Sequence, residues 1–537
     1  MLVPVLLAAA SLACGCAGAS PKSVPQQANE LYLRGKQEFA GNRFDKAEKY
    51  FTQAIELMPI HAVTYNDRGL ALYQQGKYKQ AVADFDKALA LDPDNPGYLS
   101  NRGLGLHSLG NNAAALADLD RALKISPQDP AAYYNRGIIN YDAGNYKAAL
   151  MDFDQTLVLK GKGTAVEFYY RGSAAAKMGL TEQAYSDLDT ALRLAPGYAD
   201  AYRARGDLAF SKEAYSAALD DYNAAARFQP YNPGIYKGIG NVYQAQGQPQ
   251  QALNSYRRSI ELAPGQPEVF ARIGEMYRQL KMYPQALANY AQAIRNAPSG
   301  MTYYLGRGVV YAESGDLDSA LADFSSAVRL EPASPLPYVT RAEVRARRGE
   351  FNQAEKDVSV ALAKGGKTAD VYAVRAAVFA GLKKYDKAAA DYEQAVRLAP
   401  LMVEYRVELA KVYAGLGRYK QAAETYSKAI DLRRVDYVTY IERGLLFLRL
   451  ERGKEARQDF VKAFEMAPTD PQTSVALACY YWHYVKDTAA ALEYAEQALR
   501  LGLKDANVFY DNARFGYFLR RFTIEAGFKD LLKKYGV

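Results

Sequence analysis

A small residue recurs at a fixed interval along most of this chain of 537 residues. The interval is thirty-four residues, except for one step of thirty-five between Gly137 and Gly172. Such a period predicts one helical hairpin copied end to end, because a unit of this size cannot bury its apolar face alone. We number each repeat so that the small residue stands at position 8. The series is Gly35, Gly69, Gly103, Gly137, Gly172, Gly206, Gly240, Gly274, Gly308, Ala342, Ala376, Ala410, Gly444 and Ala478.

Three other positions of the repeat carry a restricted set of residues. Position 20 is Ala in all fourteen repeats, from Ala47 to Ala490, position 24 is usually aromatic, and position 32 is often Pro. Gly within a helix costs about 1 kcal/mol relative to Ala, so its recurrence calls for a packing reason. Small residues at positions 8 and 20 would let two antiparallel helices approach closely, with the aromatic ring beside them. Pro would end the second helix.

This pattern resembles the tetratricopeptide repeat, which has Gly at position 8, Ala at 20, an aromatic residue at 24 and Pro at 32. The resemblance covers residues 28–504. It implies an all-α fold, a right-handed α-solenoid of about fourteen tandem helix hairpins. Residues 505–537, which are rich in Phe, are expected to form helices that cap the last open face. No second domain is expected.

Arg at position 7 and Asp at position 23 occur together in nine repeats. Both are missing from four others, and only the first repeat, with Arg34 and Tyr50, breaks the rule. Matching each Asp with the Arg of the following repeat gives six mismatches, so we expect the partners to lie in one hairpin. We predict a partly buried structural ion pair in each of these nine repeats, because a catalytic pair would not be built nine times. The pairs are Arg68 and Asp84, Arg102 and Asp118, Arg136 and Asp152, Arg171 and Asp187, Arg205 and Asp221, Arg307 and Asp323, Arg341 and Asp357, Arg375 and Asp391, and Arg443 and Asp459.

The remaining composition argues against several kinds of site. The 67 basic and 59 acidic residues are interspersed, which does not favour nucleic-acid binding. His61, His107 and His483 fall in distant repeats and are not expected to share a metal. No nucleophile and base, and no phosphate-binding loop preceded by a strand, is apparent. We therefore predict a protein that is not an enzyme and that has no catalytic residues, cofactor or metal.

Residues 1–16 form a separate segment, which we interpret as a secretion signal. The apolar run at 2–13 is too short to span a bilayer as a helix, and it precedes Cys14, Gly15 and Cys16. The segment resembles bacterial lipoprotein signals, and the resemblance implies lipidation of Cys16, with Cys14 as the other candidate. Residues 17–27 would be a flexible tether. The expected location is the bacterial cell envelope, on a lipid-anchored membrane face in the periplasm or at the outer membrane, or else as a soluble secreted or periplasmic protein.

The resemblance also implies a concave groove lined by the first helix of each hairpin, mainly at positions 2, 5, 9, 12 and 13. Lys237 and Asn241 match half of the motif by which one subfamily binds a carboxylate, but Arg272, Thr302 and Gly306 do not match the rest. Repeats two to five offer an aromatic and polar wall, and repeats six to eight a charged one. Later repeats offer more apolar residues, namely Val339, Ala377, Leu445 and Leu448. The candidate partner-binding residues are Asn66, Tyr73, His107, Tyr134, Tyr141, Tyr169, Arg203, Lys237, Asn241 and Arg278.

Two functional interpretations from different classes follow. The first is a non-catalytic scaffold of the bacterial envelope that binds proteins or peptides in its groove, as in secretion, pilus assembly or polysaccharide export. The second is an accessory subunit that presents substrates to a separate enzyme such as a glycosyltransferase. A soluble co-chaperone is a third alternative. Which partner occupies the groove, and whether it is a peptide, a folded protein or a polysaccharide, stays open at this point.

Overall fold

The computed structural model describes residues 23–433, 435–505, 507–510, 514–519 and 521–536. Within these residues the secondary structure is helical, and no strand occurs. They divide into two compact units, before and after the bond between Pro264 and Gly265, and each unit contains seven hairpins. An array of this kind has no central core, because each repeat packs mainly on its neighbours.

The first unit contains two helices for each of the first seven repeats. They are α1 Val24–Ala40, α2 Phe44–Leu57, α3 Ala62–Gln74, α4 Tyr78–Leu91, α5 Pro96–Ser108, α6 Asn112–Ile125, α7 Pro130–Asp142, α8 Tyr146–Lys160, α9 Ala165–Lys177, α10 Thr181–Leu194, α11 Ala199–Ser211, α12 Tyr215–Phe228, α13 Pro233–Ala245 and α14 Pro249–Leu262.

The second unit contains the other seven hairpins and the C-terminal helices. They are α15 Pro267–Gln279, α16 Tyr283–Asn296, α17 Met301–Ser314, α18 Leu317–Leu330, α19 Leu336–Arg347, α20 Phe351–Ala363, α21 Ala369–Gly381, α22 Tyr385–Leu398, α23 Val403–Gly415, α24 Tyr419–Ile430, α25 Tyr437–Arg449, α26 Gly453–Met466, α27 Pro471–Tyr480, α28 Thr488–Arg500, α29 Asn507–Tyr510, α30 Gly516–Leu519 and α31 Ala526–Tyr535.

The first helix begins earlier than the repeat frame predicts. Residues 24–27, expected in the flexible tether, form the first turn of α1. The backbone N–H of Ser23 donates to the side chain of Gln26 at 3.0 Å, and Pro25 fixes φ near the helical value at this end. These two features explain the earlier start. The predicted signal at 1–16, the lipidated Cys16 and tether residues 17–22 lie outside the described residues.

The two helices of a hairpin approach each other at positions 8 and 20. A Cβ atom added to Gly69 would lie 2.6 Å from the ring of Phe85, and one added to Gly137 would lie 2.7 Å from Phe153. The position 20 alanines from Ala47 to Ala456 are fully buried between the helices. The ring at position 24 therefore lies against the backbone of the first helix, which explains why Gly is used there.

The last hairpin departs from the sequence frame by one residue. A π-helical turn, Tyr481–Val485, follows α27, and the hairpin turn then falls at Lys486, whose φ is 64°. As a result Ala491, rather than the predicted Ala490, is fully buried between the two helices. A π turn accommodates one extra residue inside a helix, which a fixed period cannot reveal.

The C-terminal segment does more than cap the last helix. Helix α31 packs against α28, and Phe528 is fully buried. Residues 514–519 lie instead against the first helices of the last two hairpins, where the Arg449 guanidinium is 3.9 Å from the ring centre of Tyr517. Trp482, the only tryptophan, has its ring centre 5.2 Å from that of Phe522. The segment thus covers two faces of the final repeats.

The nine Arg and Asp pairs each link the two helices of one hairpin. In every pair Nε and Nη2 of the guanidinium donate to the two carboxylate oxygens, and the shortest contacts measure 2.6 to 2.8 Å. The aspartates are buried, with exposures of 3 to 8%. Because both partners are held in one bidentate geometry, the pair fixes the separation of the helices. The pairs are Arg68–Asp84, Arg102–Asp118, Arg136–Asp152, Arg171–Asp187, Arg205–Asp221, Arg307–Asp323, Arg341–Asp357, Arg375–Asp391 and Arg443–Asp459.

Seven of the nine arginines also bind the preceding repeat, which the sequence reasoning missed. Nη1 of Arg136 donates to Asp120 at 2.7 Å, and Nη1 of Arg205 donates to Asp189 at 2.5 Å. The acceptor stands at position 25 of the repeat before, where Ser427 also accepts from Arg443 at 2.9 Å. The guanidinium therefore joins three helices. It is a link between hairpins as well as within one.

Replacing Arg136 by Ala should destabilise the chain by about 3 to 5 kcal/mol, because the buried Asp152 would lose its counter-charge. The matched control is Arg34→Ala, since Arg34 pairs only with the exposed Glu30 at 2.9 Å. That change should cost about 0.2 to 1 kcal/mol. Urea unfolding followed by circular dichroism measures both. Equal, small shifts for the two variants would show that the Arg136 pair is not a core interaction.

Candidate protein-binding surface

The first helices of successive hairpins pack against each other within each unit. We call the surface formed by positions 2, 5, 6, 9, 12 and 13 of these helices the first-helix face. Hydrogen bonds cross it at an interval of thirty-five residues. Nδ2 of Asn101 donates to Oδ1 of Asn66 at 2.7 Å, and the hydroxyl of Ser108 donates to that of Tyr73 at 3.1 Å. Position 5 therefore meets position 6 of the next repeat, and position 12 meets position 13.

Two other predicted contact residues have the same kind of partner. His107 lies 3.1 Å from the carboxylate of Asp142 in the next repeat. Arg278 binds Glu275 at 2.7 Å and also Glu313 of the next repeat. These acidic neighbours raise the pKa of the Arg278 guanidinium, so it stays charged.

That these four side chains face a partner therefore stays a prediction. Asn66 is buried, with only 6% of its surface exposed, and its amide oxygen is already occupied. Tyr73, His107 and Arg278 lie on the first-helix face but direct their polar groups to the adjacent repeat. Positions 5 and 12 lie next to the first helix of the following hairpin, so a polar group at either position can form a hydrogen bond or an ion pair with that hairpin.

A group of tyrosine rings in edge-to-face and tilted contact remains on the first-helix face of repeats four and five. We call it the tyrosine cluster. Tyr134 and Tyr141 have ring centres 6.2 and 5.9 Å from that of Tyr170, which in turn lies 5.1 Å from Tyr169. Tyr169 is also 5.1 Å from Tyr198. The five rings are all partly exposed and form one continuous wall.

Two hydroxyls of this wall, those of Tyr134 and Tyr169, are available for binding. Burial raises the pKa of Tyr134 and of Tyr169 to about 12, so both phenols are neutral at physiological pH. Neither hydroxyl has a hydrogen-bond partner among the residues that the structure describes. A half-buried ring with a free hydroxyl offers both apolar area and a hydrogen bond to an incoming chain.

The charged candidates of repeats six and seven are held within the chain. Arg203 lies 3.6 Å from both Asp200 and Asp207. Asn241 accepts a hydrogen bond from the Tyr256 hydroxyl at 2.9 Å, and Lys237 lies partly buried on the same helix, α13. Tyr256 thus occupies the Asn241 amide oxygen and not Nδ2, which is the group that would donate to a carboxylate, so carboxylate binding by this half-motif stays a prediction.

In repeats six to eight the hydroxyls of the tyrosines at position 24 contact position 9 of the same repeat, which the residue at position 24 alone does not predict. Their rings lie under the first helix, and their hydroxyls reach position 9 on the first-helix face. Tyr222 donates to Asp207 at 2.6 Å, and Tyr290 is 3.4 Å from Glu275. In repeat eleven position 9 is Ala377, and the hydroxyl of Tyr392 makes no hydrogen bond within the described ranges.

The side chain of Tyr392 lines a depression on the first-helix face of repeats ten to twelve. We call this depression of about 250 Å³ the acidic hollow. Ala377, one of the apolar residues predicted for the later repeats, lies on its floor. Val339, Leu445 and Leu448, also expected on the surface, are instead buried. The hollow is lined by Glu343, Ala346, Ala373, Val374, Ala377, Tyr392, Glu404, Tyr405 and Glu408.

A second cavity, of about 280 Å³, lies between repeats twelve and thirteen and the C-terminal segment. Tyr426, another buried tyrosine at position 24, lines it, and position 9 of its repeat is Lys411. Arg514, from the C-terminal segment, lies 2.8 Å from Glu442 across this cavity. The same segment that covers the last repeats therefore closes this part of the first-helix face.

Neither a metal-binding cluster nor a membrane-spanning helix occurs among the described residues. No group of three or more His, Cys, Asp or Glu side chains is arranged there to hold a metal ion. Cys479 is fully buried, which raises the pKa of its thiol. No described helix is both long enough and apolar enough to cross a bilayer.

The repeat pattern and the hairpins agree with known family models. A family described as the cilia and flagella-associated protein 70 C-terminal domain matches residues 106–436. The chain belongs to this tetratricopeptide repeat family. Two further models, described as TPR repeat and tetratricopeptide repeat, match residues 69–110 and 407–471. Tetratricopeptide arrays are in general scaffolds that bind other proteins, and none of the matching families is catalytic.

Solved tetratricopeptide structures resemble the chain at low identity. The Cut9-Hcn1 structure of the APC/C is 14% identical, covers 84% of this chain and 96% of its own, and has a TM-score of 0.44. Yeast Tom70 is 18% identical over 81% of this chain and 96% of its own, with a TM-score of 0.38. Pseudomonas aeruginosa pilF is 20% identical over 40% and 97%, with a TM-score of 0.36. No curated protein sequence matches the chain.

Replacing Tyr222 by Phe should lower the free energy of unfolding by about 1.5 to 3 kcal/mol, because its hydroxyl donates to the carboxylate of Asp207. Tyr392→Phe removes the same atom from the same repeat position, but this hydroxyl has no partner in the described parts of the chain. We expect that variant to change stability by less than about 0.5 kcal/mol. Thermal unfolding of both variants checks the difference. A comparable loss in Tyr392→Phe would mean that its hydroxyl is bonded internally after all.

Proposed function

We propose that this chain is a non-catalytic scaffold of the bacterial cell envelope that binds segments of partner proteins on its first-helix face. The tyrosine cluster carries the proposal. It combines partly exposed rings with the neutral hydroxyls of Tyr134 and Tyr169, which no described residue uses, and aromatic residues are enriched at protein interfaces. A surface of this kind stacks on apolar side chains while its hydroxyls bond the backbone of an extended segment.

The internal bonding of neighbouring polar residues supports the same surface. Asn66 and His107 connect consecutive hairpins, and these contacts hold the first helices in a fixed array. A wall that is ordered before the partner arrives loses little entropy on binding. The cluster would therefore bind as a rigid surface rather than as a set of loose side chains.

The envelope location rests on the sequence of residues 1–16. An apolar run that precedes a cysteine at a small-residue site suits a lipoprotein signal, with Cys16 as the lipidated residue. Several acyl chains on one cysteine would hold the chain at a membrane surface, since each buried methylene contributes about 0.8 kcal/mol. The scaffold would then gather its partners at that membrane.

A photo-reactive amino acid at Val166 should cross-link a partner protein in membranes from cells that make the full chain. Val166 is 41% exposed at position 2 of repeat five, one turn from Tyr169. The matched control is Met151, which is 65% exposed on the second helix of repeat four. Gel analysis should show discrete adducts at Val166 and not at Met151. Adducts that are equal at both sites, or that survive Tyr169→Ala, would contradict binding at the tyrosine cluster.

Radiolabelled palmitate should be incorporated into the wild type and not into Cys16→Ala, because Cys16 is the lipidated residue of the proposed signal. Cys14→Ala is the control and should still be labelled. Labelled protein should pellet with membranes, and the Cys16→Ala variant should shift to the soluble fraction. Equal labelling of the wild type and Cys16→Ala would exclude the anchor.

A further inference from the structure

The acidic hollow differs from the corresponding place in repeats six to eight because the tyrosine at position 24 has no acceptor at position 9. In repeats six to eight the hydroxyl at position 24 meets Asp207, Asn241 or Glu275 at position 9. Ala377 stands at that position in repeat eleven, so Tyr392 faces open space. Only 5% of Tyr392 is exposed, and its hydroxyl has no partner among the described residues. Its hydroxyl faces the hollow, where it is free to form a hydrogen bond with a ligand group.

The walls of the hollow carry three carboxylates. Glu404 forms no ion pair with any described residue. Glu343 is paired with Arg347 at 2.8 Å and Glu408 with Lys411 at 2.6 Å, but these pairs are about half exposed and therefore weak. The local charge is thus negative, and a cation from a partner would face little competition.

The floor of the hollow is made of small side chains. Ala346, Ala373 and Ala377 leave a volume of about 250 Å³, while the rings of Tyr392 and Tyr405 line its side. Such a floor suits the methylene stem of a long side chain, whose charged end would then lie among the carboxylates. The cluster does not have the arrangement of a metal site within the described residues.

We propose that the acidic hollow binds a Lys or Arg side chain of the partner segment. The proposal rests on the scaffold function and names the chemistry that this part of the first-helix face selects. The alanines pack against the stem, Glu343, Glu404 and Glu408 accept from its N–H groups, and the phenol oxygen of Tyr392 accepts a further hydrogen bond. Like-charge repulsion excludes acidic segments from the same place.

The test uses random twelve-residue peptides displayed on phage and selected on the full chain. We expect the enriched peptides to share a Lys or Arg residue. Synthetic copies of the best binder, labelled with fluorescein, give Kd by anisotropy. The triple variant E343Q/E404Q/E408Q should raise Kd at least tenfold, which corresponds to about 1.4 kcal/mol. Replacing the shared basic residue of the peptide by Met should have the same effect. Tyr392→Phe should raise Kd two- to tenfold.

The control variant E424Q/E465Q removes two exposed glutamates from second helices. It should bind the peptide as the wild type does, and thermal unfolding should show every variant to be folded. Enriched peptides that lack Lys and Arg, or a Kd unchanged in the triple variant, would overturn the basic-residue site. If those peptides still cross-linked at Val166, the scaffold function would stand. A full chain that enriched no peptide would count against both.

Discussion

The contact between the ring at position 24 and the backbone at position 8 governs the rest of the structure. Phe85 lies so close to Gly69 that a methyl group there would overlap the ring. This contact sets the distance between the two helices of the hairpin. The far edge of the ring then points toward position 9 of the first helix. A Phe ring ends beneath that helix, whereas a Tyr ring places its hydroxyl at the first-helix face.

The arginine at position 7 has a second consequence for the array. Its bidentate pair with Asp links the two helices of one hairpin, and in seven of the nine repeats its Nη1 also donates to the hairpin before. In Arg136 both functions lie in one guanidinium, which joins α7, α8 and α6. Lysine could not replace it, because a single ammonium lacks the planar set of donors that the three helices require. The alignment of successive hairpins thus depends on the same arginine that links the two helices of its own hairpin.

Much of this architecture could be predicted because the repeats are copies of one helical hairpin within the same sequence. The shared presence of Arg and Asp indicated which helices are joined, and the Gly at position 8 indicated a close contact. The period could not reveal the π turn at Tyr481–Val485, since one extra residue leaves the following pattern almost unchanged. Nor could it reveal that Asn66 and His107 bond the next hairpin, because that depends on the packing of two repeats. The free hydroxyl of Tyr392 was not predicted, because it depends on the alanine at position 9 of the same repeat.

The position of the only tryptophan has a practical consequence. Trp482 lies in the π turn against Phe522 of the C-terminal segment, far along the sequence from the tyrosine cluster. Excited selectively, its indole emission responds to the polarity of its immediate surroundings. Detachment of the last thirty or so residues would therefore shift that emission to the red. The protein carries its own optical probe of whether its end is docked, without any added label.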